Sequence, residues 1–179
     1  MRGTIPLVLS RAASVLPLLP LELVSRRLLA NAMAARPSFA ARLGEHAGRT
    51  FAIDPLDCPF AFLITPGGDG VHVRVVRDLS EAAYDARIAA PLIVLCGMID
   101  GTYDGDALFF SRDLRIEGDT GAVLALRNAI ENAELDPSSV LGLPKPVHRP
   151  FNRATEFLFG QLRRALHAPE PSGGKAYLP

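Results

Sequence analysis

Few residues of this chain have the types and spacing that catalysis or metal binding requires. The four histidines, at positions 46, 72, 148 and 167, lack the spacing of metal ligands and are predicted to lie at the surface. Glycines 67, 68 and 70 lie between two predicted strands, so no helix N-terminus follows to hold a phosphate. The Gly-x-Ser-x-Gly pattern of a nucleophile elbow does not occur. Catalysis therefore has no positive support in the sequence.

An acidic stretch, Asp100–Asp106, resembles the start of a calcium-binding loop at its first, fifth and sixth positions. The third position is Thr102, and the twelfth is Ser111, where such a loop needs a bidentate Glu. A structural turn is the prediction. Cys58 and Cys96 are too few and too far apart for a disulfide framework or a metal site. They favour a reducing, cytoplasmic setting, as buried small side chains.

The composition is that of one folded domain with extensions. The chain has 179 residues, 49% of them apolar, and 19 basic against 19 acidic side chains. Zero net charge argues against a nucleic-acid binder, and a mean hydropathy of +0.20 argues against disorder. The charge is uneven, because residues 1–50 carry +5, residues 51–120 carry −7 and residues 121–179 carry +2. An acidic middle is therefore framed by basic ends.

The elements that must position any site begin with an apolar, basic arm over residues 1–44. Charges and prolines interrupt its apolar start, which predicts no membrane span, and the apolar run is too short for a convincing signal peptide. Leucine and alanine at helical spacing predict a helix over Leu21–Ala35, with Val24 on its apolar stripe. Pro37 ends it, and Ser38 caps a second helix that reaches Gly44.

The segment 45–135 is predicted to be an α+β domain. Expected strands are Arg49–Ile53, Phe60–Thr65, Val71–Val76, Tyr84–Ala90 and Phe109–Glu117, with a turn at Asp54-Pro55 and a hairpin loop over Pro66–Gly70. Expected helices are Pro91–Ile99 and one that follows Gly118-Asp119-Thr120. Residues 136–150 contain four prolines and predict an extended linker. Phe151–His167 then predicts an amphipathic helix, followed by a disordered tail that completes the segment 151–179.

The turn between the last predicted strand and its helix has a clear physical basis. Gly118 permits a close reversal of the chain, and the Asp119 carboxylate accepts from free amides of the first helical turn. Its expected role is structural rather than catalytic.

The stretch from Phe109 to Thr120, a strand, a Gly-Asp turn and a helix start, resembles the end of the sterol carrier protein-2 lipid-binding domain. The element order is similar to that family over residues 40–134. Within the family, the chain resembles the UbiT subfamily, the lipid-binding accessory factors of oxygen-independent ubiquinone biosynthesis. The features that carry this resemblance are Leu108-Phe109-Phe110-x-Arg112, the turn Glu117–Thr120, Asn128 and the basic arm.

The resemblance implies a sterol carrier protein-2-like fold, in which helices cover a mixed, twisted sheet of about five strands around an apolar tunnel. It implies a non-enzymatic carrier that presents polyprenylated ubiquinone precursors to UbiU- and UbiV-type hydroxylases. No cofactor is expected apart from a bound lipid, such as a polyprenyl phenol, a quinone or a phospholipid. The residues expected to line the tunnel are Phe62, Ile93, Leu95, Met98, Phe110, Leu114, Ile116, Val123 and Leu126.

The basic ends have an expected role of their own, which is reversible docking on an anionic membrane surface. The residues expected to do this are Arg11, Arg26, Arg27, Arg163 and Arg164. They would hold a cytoplasmic protein at the inner face of the membrane. Alternatively, the arm covers the sheet of its own domain or of a second copy in a homodimer. Other functions left open are a general phospholipid or fatty acyl carrier, an enzyme subunit, and a structural interaction module with a filled core.

Overall fold

The computed structural model describes residues 17–35, 38–67, 70–99, 101–103, 107–108, 112–133, 137–143 and 145–166. In chain order the elements are α1 (Leu18–Ala35), α2 (Ser38–Leu43), a 3-10 turn (Gly44–His46), β1 (Phe51–Pro55), β2 (Ala61–Gly67), β3 (Gly70–Val76), β4 (Ala86–Ala90), α3 (Leu92–Ile99), β5 (Arg115–Gly118), α4 (Thr120–Ala133), α5 (Pro137–Val140) and α6 (Lys145–Ala165).

The strands form one five-stranded mixed sheet in the order β3-β2-β1-β4-β5. The central strand β1 runs parallel to β4, and every other neighbouring pair is antiparallel. The β2–β3 hairpin therefore lies on one side of β1, and the chain crosses over to place β4 on the other side. The predicted α+β class and mixed sheet are confirmed.

The strand register gives the sheet an apolar face and a polar face. Paired residues point to the same side, so Phe51, Ile53 and Ile88 share one face. Asp54, Arg87 and other charged residues occupy the opposite face. The apolar face joins residues of α2, α3 and α4 in one core cluster, which holds Leu43, Phe51 and Val94 at 0–1% exposure. The main core thus lies between the sheet and these helices.

The edge strand β3 is covered by α1. Glu22 of α1 accepts a hydrogen bond from the backbone N–H of Val75 at 3.0 Å, which satisfies a donor on the open edge of the sheet. Val71, Val73 and Val75 are buried while His72 and Arg74 are exposed, so the predicted alternation of β3 is confirmed.

The ends of β1 and of the β2–β3 hairpin differ from the prediction, whereas β4 lies close to it. Strand β1 runs through the predicted Asp54-Pro55 turn, because Asp54 and Pro55 pair with Ala89 and Ala90 of β4. The predicted hairpin loop is shorter, since Gly67 and Gly70 already pair with each other.

Strand β5 starts at Arg115 rather than at the predicted Phe109. Arg112 adopts a positive φ of 63°. The amides of Asp113 and Leu114 both donate to the carbonyl of Leu108, so the chain turns where a strand was predicted. Residues 109–111 lie outside the described part of the chain.

The predicted extended linker is wrong for residues 137–140 and 145–150, which are helical. Pro137 begins α5, and Pro146 lies in the first turn of α6, where a missing N–H costs no helical hydrogen bond. Pro150 lies inside α6. The final helix therefore starts six residues before the predicted Phe151. The predicted tail lies outside the described residues, and the segment boundaries 1–44, 45–135, 136–150 and 151–179 stay a prediction.

Candidate functional site

Seven of the nine predicted lipid-binding residues come together in the core cluster. Five are buried at 3–8% exposure: Ile93, Leu95, Leu114, Val123 and Leu126. Met98 and Ile116 are half-buried and pack against the cluster. These seven residues come from α3, α4, β5 and the turn before β5. The sequence prediction therefore selected one region of the fold, while the role of these residues in lining a lipid tunnel stays a prediction.

The other two predicted residues do not belong to that group. Phe62 lies on β2, half-buried, and its ring meets the Phe60 ring edge to face at a centroid distance of 5.5 Å. Since Phe62 pairs with Ile53 and Val75, it shares the apolar face of the sheet with them. Phe110 lies outside the described residues.

The Gly-Asp turn connects β5 to α4, next to this region. Asp119 Oδ1 accepts from the Ala122 N–H at 3.0 Å, which caps α4 as predicted and holds the pKa of Asp119 below its usual value. Gly118 has a φ of 85°, and a Cβ at this position would lie 2.3 Å from the carbonyl oxygen of Asp85. Only glycine fits this close contact between β5 and the segment before β4.

Two further groups at this turn were not found from the sequence. His46 Nδ1 lies 3.9 Å from Asp119 Oδ2, is buried and has no hydrogen-bond partner. Asp85 accepts from the Thr50 N–H at 2.7 Å and from Arg49 Nη1 at 2.8 Å, and these bonds lower the pKa of Asp85. The signal for them was weak, because residues far apart in the chain meet only after the sheet has formed.

The lowered pKa values of Asp85 and Asp119 predict acid sensitivity. In the folded protein both pKa values lie below the value of about 3.9 for an unfolded aspartate. The two carboxylates therefore stabilise the fold fully above that pH. This stabilisation is lost as the pH falls through the folded values. Urea unfolding across the acid range should show stability falling below about pH 4.

The matched variants for this pH prediction are Asp85→Asn with Asp119→Asn, and Glu81→Gln as a control at an exposed position between β3 and β4. The double variant should have a flatter acid limb than the wild type, and the control should keep the wild-type slope. An unchanged slope in the double variant would contradict the assignment.

The polar face of the sheet carries an ion network across three strands. Arg87 of β4 donates to Asp54 of β1 from Nε at 3.1 Å and from Nη2 at 2.5 Å. Its Nη1 donates to Glu117 of β5 at 2.8 Å. These bonds raise the pKa of Arg87, and the fixed fork geometry suits a structural tie between strands.

A small cleft opens on the polar side of the sheet. Its volume is about 110 Å³, which holds a few water molecules rather than a lipid tail. The Thr50 and Thr65 hydroxyls share a 2.9 Å hydrogen bond there. The other lining residues are Leu63, His72, Arg74 and Ala83. None of the eight described lipid-binding candidates lines this cleft.

The cysteines form no disulfide, and both are half-buried, whereas buried side chains were predicted. Burial raises the pKa of the Cys58 thiol to about 11, with a smaller contribution from Asp57, so little thiolate forms at neutral pH. No group of three or more His, Cys, Asp or Glu side chains that could hold a metal ion occurs within the described residues.

The predicted membrane-docking arginines are described only in part. Arg26 and Arg27 are exposed on α1, and Arg164 is exposed on α6. Arg11 and the side chain of Arg163 lie outside what the structure describes. Val24, predicted on the apolar stripe of α1, is 55% exposed. Leu19 and Leu23 of the same helix are 66% and 57% exposed. In the described ranges, no helix is both long and apolar enough to cross a membrane.

A core between one face of a mixed sheet and its covering helices defines an α+β fold. Residues 28–131 match the SCP-2 sterol transfer family. Because the match covers more than half of the chain, the protein belongs to this family. The matched region begins inside α1 and ends near the end of α4, so α5 and α6 follow the family domain.

Several solved structures are similar to this chain. One, called "UbiJ-SCP2 Ubiquinone synthesis protein", has a TM-score of 0.55 and 20% identity, covering 68% of this chain and 98% of that chain. Sterol Carrier Protein 2 from Yarrowia lipolytica (apo form) has a TM-score of 0.45 and 15% identity, and the match covers 65% of this chain and 91% of that chain. The sec-alkylsulfatase Pisa1 from Pseudomonas sp. has a TM-score of 0.43 and 13% identity, and the match covers 50% of this chain and 14% of that chain. No curated protein matches the chain.

Proposed function

We propose that the protein is a non-enzymatic lipid-binding accessory factor of oxygen-independent ubiquinone biosynthesis, which holds and presents polyprenylated ubiquinone precursors. The observation that carries this proposal is the convergence of seven predicted lipid-binding residues in one apolar cluster of an SCP-2 family fold. The likeness to a ubiquinone synthesis protein with an SCP-2 domain supports the choice of cargo. The same cluster would also suit a phospholipid or a fatty acyl chain.

The cargo determines what the protein must supply. Moving each methylene-sized group of a lipid tail from the bilayer into water costs about 0.8 kcal/mol of transfer free energy. Only an apolar enclosure offsets that loss, and the buried apolar cluster around Ile93, Leu114 and Leu126 would provide it. The half-buried Phe62, Met98 and Ile116 would border the entrance, and Phe110 would join the lining. The polar head of the cargo would stay near the opening, accessible to UbiU- and UbiV-type hydroxylases.

The carrier needs no cofactor other than its bound lipid in this proposal. It would act in the cytoplasm, at the inner face of the membrane, either alone or as a homodimer. Arg11, Arg26, Arg27, Arg163 and Arg164 would attract it to anionic headgroups, each contributing about 1 kcal/mol when it lies at the surface.

Two leucines of α4 test the lipid site. Leu126 is 8% exposed and belongs to the cluster, whereas Leu124 is 55% exposed. Leu126→Phe adds volume inside the proposed enclosure, so the affinity for a polyprenyl phenol should fall by about tenfold, whereas Leu124→Phe should bind like the wild type. The measurement is a titration of the purified full chain, with unfolding curves to compare stability. Equal affinities for both variants would contradict the proposed site, and failure of the wild type to bind favours a structural module with a filled core.

Exposed arginines on α1 test membrane attraction. Arg26→Glu with Arg27→Glu reverses two charges and should reduce cosedimentation with vesicles that contain phosphatidylglycerol. Glu22 lies on the same helix but bonds to Val75, so it should be kept unchanged. The loss should disappear with vesicles of phosphatidylcholine alone. Unchanged sedimentation with anionic vesicles would rule out docking through these two residues.

A further inference from the structure

Helix α6 follows the family domain and is strongly basic. Over Lys145–Ala165 it carries five basic side chains and one acidic side chain, Glu156. Its apolar residues recur at helical spacing and include Phe151, Leu158 and Leu162. An amphipathic helix of this kind either covers the core of its own chain or leaves an apolar face for something else.

Several contacts fix the orientation of α6 on the domain. Asn152 Oδ1 accepts from the Ser138 N–H at the start of α5 at 3.0 Å, and His148 Nε2 lies 2.8 Å from the carbonyl oxygen of Leu143. Phe159 and Leu166 pack against the core cluster. One side of α6 is therefore held against the protein by hydrogen bonds and apolar packing.

Three large apolar side chains of α6 remain outside this contact. Phe157 is 70% exposed, Leu158 is 65% exposed and Leu162 is 43% exposed. Arg153 and Arg164 are also exposed. Arg153 lies four residues before Phe157 and Arg164 lies seven residues after it, and this helical spacing places both on the same side of α6 as the Phe157 ring. The outer surface of α6 thus combines apolar residues with positive charge.

We propose that α6 docks the protein on an anionic phospholipid bilayer by lying in the interface plane, with Phe157, Leu158 and Leu162 inserted among the lipids. Arg153 and Arg164 lie on the same exposed side as Phe157 and complement anionic headgroups. A second copy of the chain fits less well, because a symmetric dimer through α6 would place two basic helices against each other. The inference rests on the proposed carrier function and adds the surface by which the carrier meets its lipid source.

The test uses the full chain with Phe157→Ser and Leu158→Ser. The control is Leu124→Ser, which removes another exposed leucine, from α4. Binding is measured by cosedimentation with vesicles of phosphatidylcholine and phosphatidylglycerol. Removing two inserting side chains should weaken binding by about tenfold or more, and the control should bind like the wild type. A second variant, Arg153→Glu with Arg164→Glu, should weaken binding in low salt and should bind phosphatidylcholine vesicles like the wild type.

Equal binding of the wild type and the Phe157/Leu158 variant would overturn the proposal. So would light scattering that shows a wild-type dimer which the same variant dissociates, since α6 would then be an interface between copies. Lipid extraction from each variant separates this inference from the carrier function. A variant that keeps its bound lipid but loses vesicle binding supports the docking role, whereas a variant that keeps both its lipid and its vesicle binding refutes docking through α6.

Discussion

Gly118→Ala is expected to destabilise the protein by about 3–5 kcal/mol, the sum of the cost of a left-handed backbone and of a severe overlap. The residue has a φ of 85°, which an alanine adopts at a cost. Its new Cβ would lie 2.3 Å from the Asp85 carbonyl oxygen and 3.1 Å from the Ala86 Cα. Both atoms belong to the backbone, so relief requires β5 to move away from β4. Urea unfolding followed by circular dichroism measures the loss.

Gly44 provides the matched control for this prediction. It also has a positive φ, of 53°, but a Cβ there would meet no atom within 4 Å. Gly44→Ala should therefore show only the backbone cost, about 1–2 kcal/mol. If both substitutions destabilise the protein equally, the close contact at Gly118 does not limit stability.

Arg87→Met is expected to destabilise the protein by about 2–4 kcal/mol, because it leaves the carboxylate of Asp54 without its partner. The Asp54 side chain is 16% exposed and the Arg87 side chain is 25% exposed, so water replaces the lost bonds only in part. The bond from Arg87 to Glu117, whose side chain is 53% exposed, contributes less.

A double-mutant cycle isolates the Arg87–Asp54 pair. Adding Asp54→Asn to Arg87→Met removes the unpaired charge and should recover part of the loss, with a coupling of about 1–3 kcal/mol. The measurement is again equilibrium unfolding in urea. Additive effects of the two substitutions would show that the contact in the structure contributes little.

Local signals were strong enough to predict the hairpin and the helix after the Gly-Asp turn. In β3 the valines alternate with His72 and Arg74, and a one-residue shift would expose all of the valines, so the pattern allows one register. The Asp119 cap depends on residues within three positions of each other, which makes it visible in the sequence.

The errors arose where distant residues decide the local structure. Asp54 and Pro55 have turn propensity, yet they pair with Ala89 and Ala90 of β4, far along the chain, and so stay in the sheet. Prolines 137 and 146 suggested an extended linker, but both lie at helix starts, where a missing N–H costs no helical hydrogen bond. The late start of β5 depends on the positive φ of Arg112, which its residue type does not favour.

The lipid-binding candidates were predictable as a group because apolar residues at helix and strand spacing must share a core. Their burial followed from that rule for Ile93, Leu114 and Leu126. The rule does not separate a side chain that fills a core from one that lines a cavity, since both are apolar. The exposed face of α6 was also missed, because spacing alone does not tell which apolar stripe remains uncovered.

The most direct test of the account is the lipid that the protein itself retains. The full chain should be purified without detergent, extracted with organic solvent and analysed by mass spectrometry, with the Leu126→Phe variant prepared in parallel. We expect a polyprenylated ubiquinone precursor or another isoprenoid lipid in stoichiometric amount, and less of it in the variant. If no lipid is recovered and none binds when it is added, the protein is not a carrier.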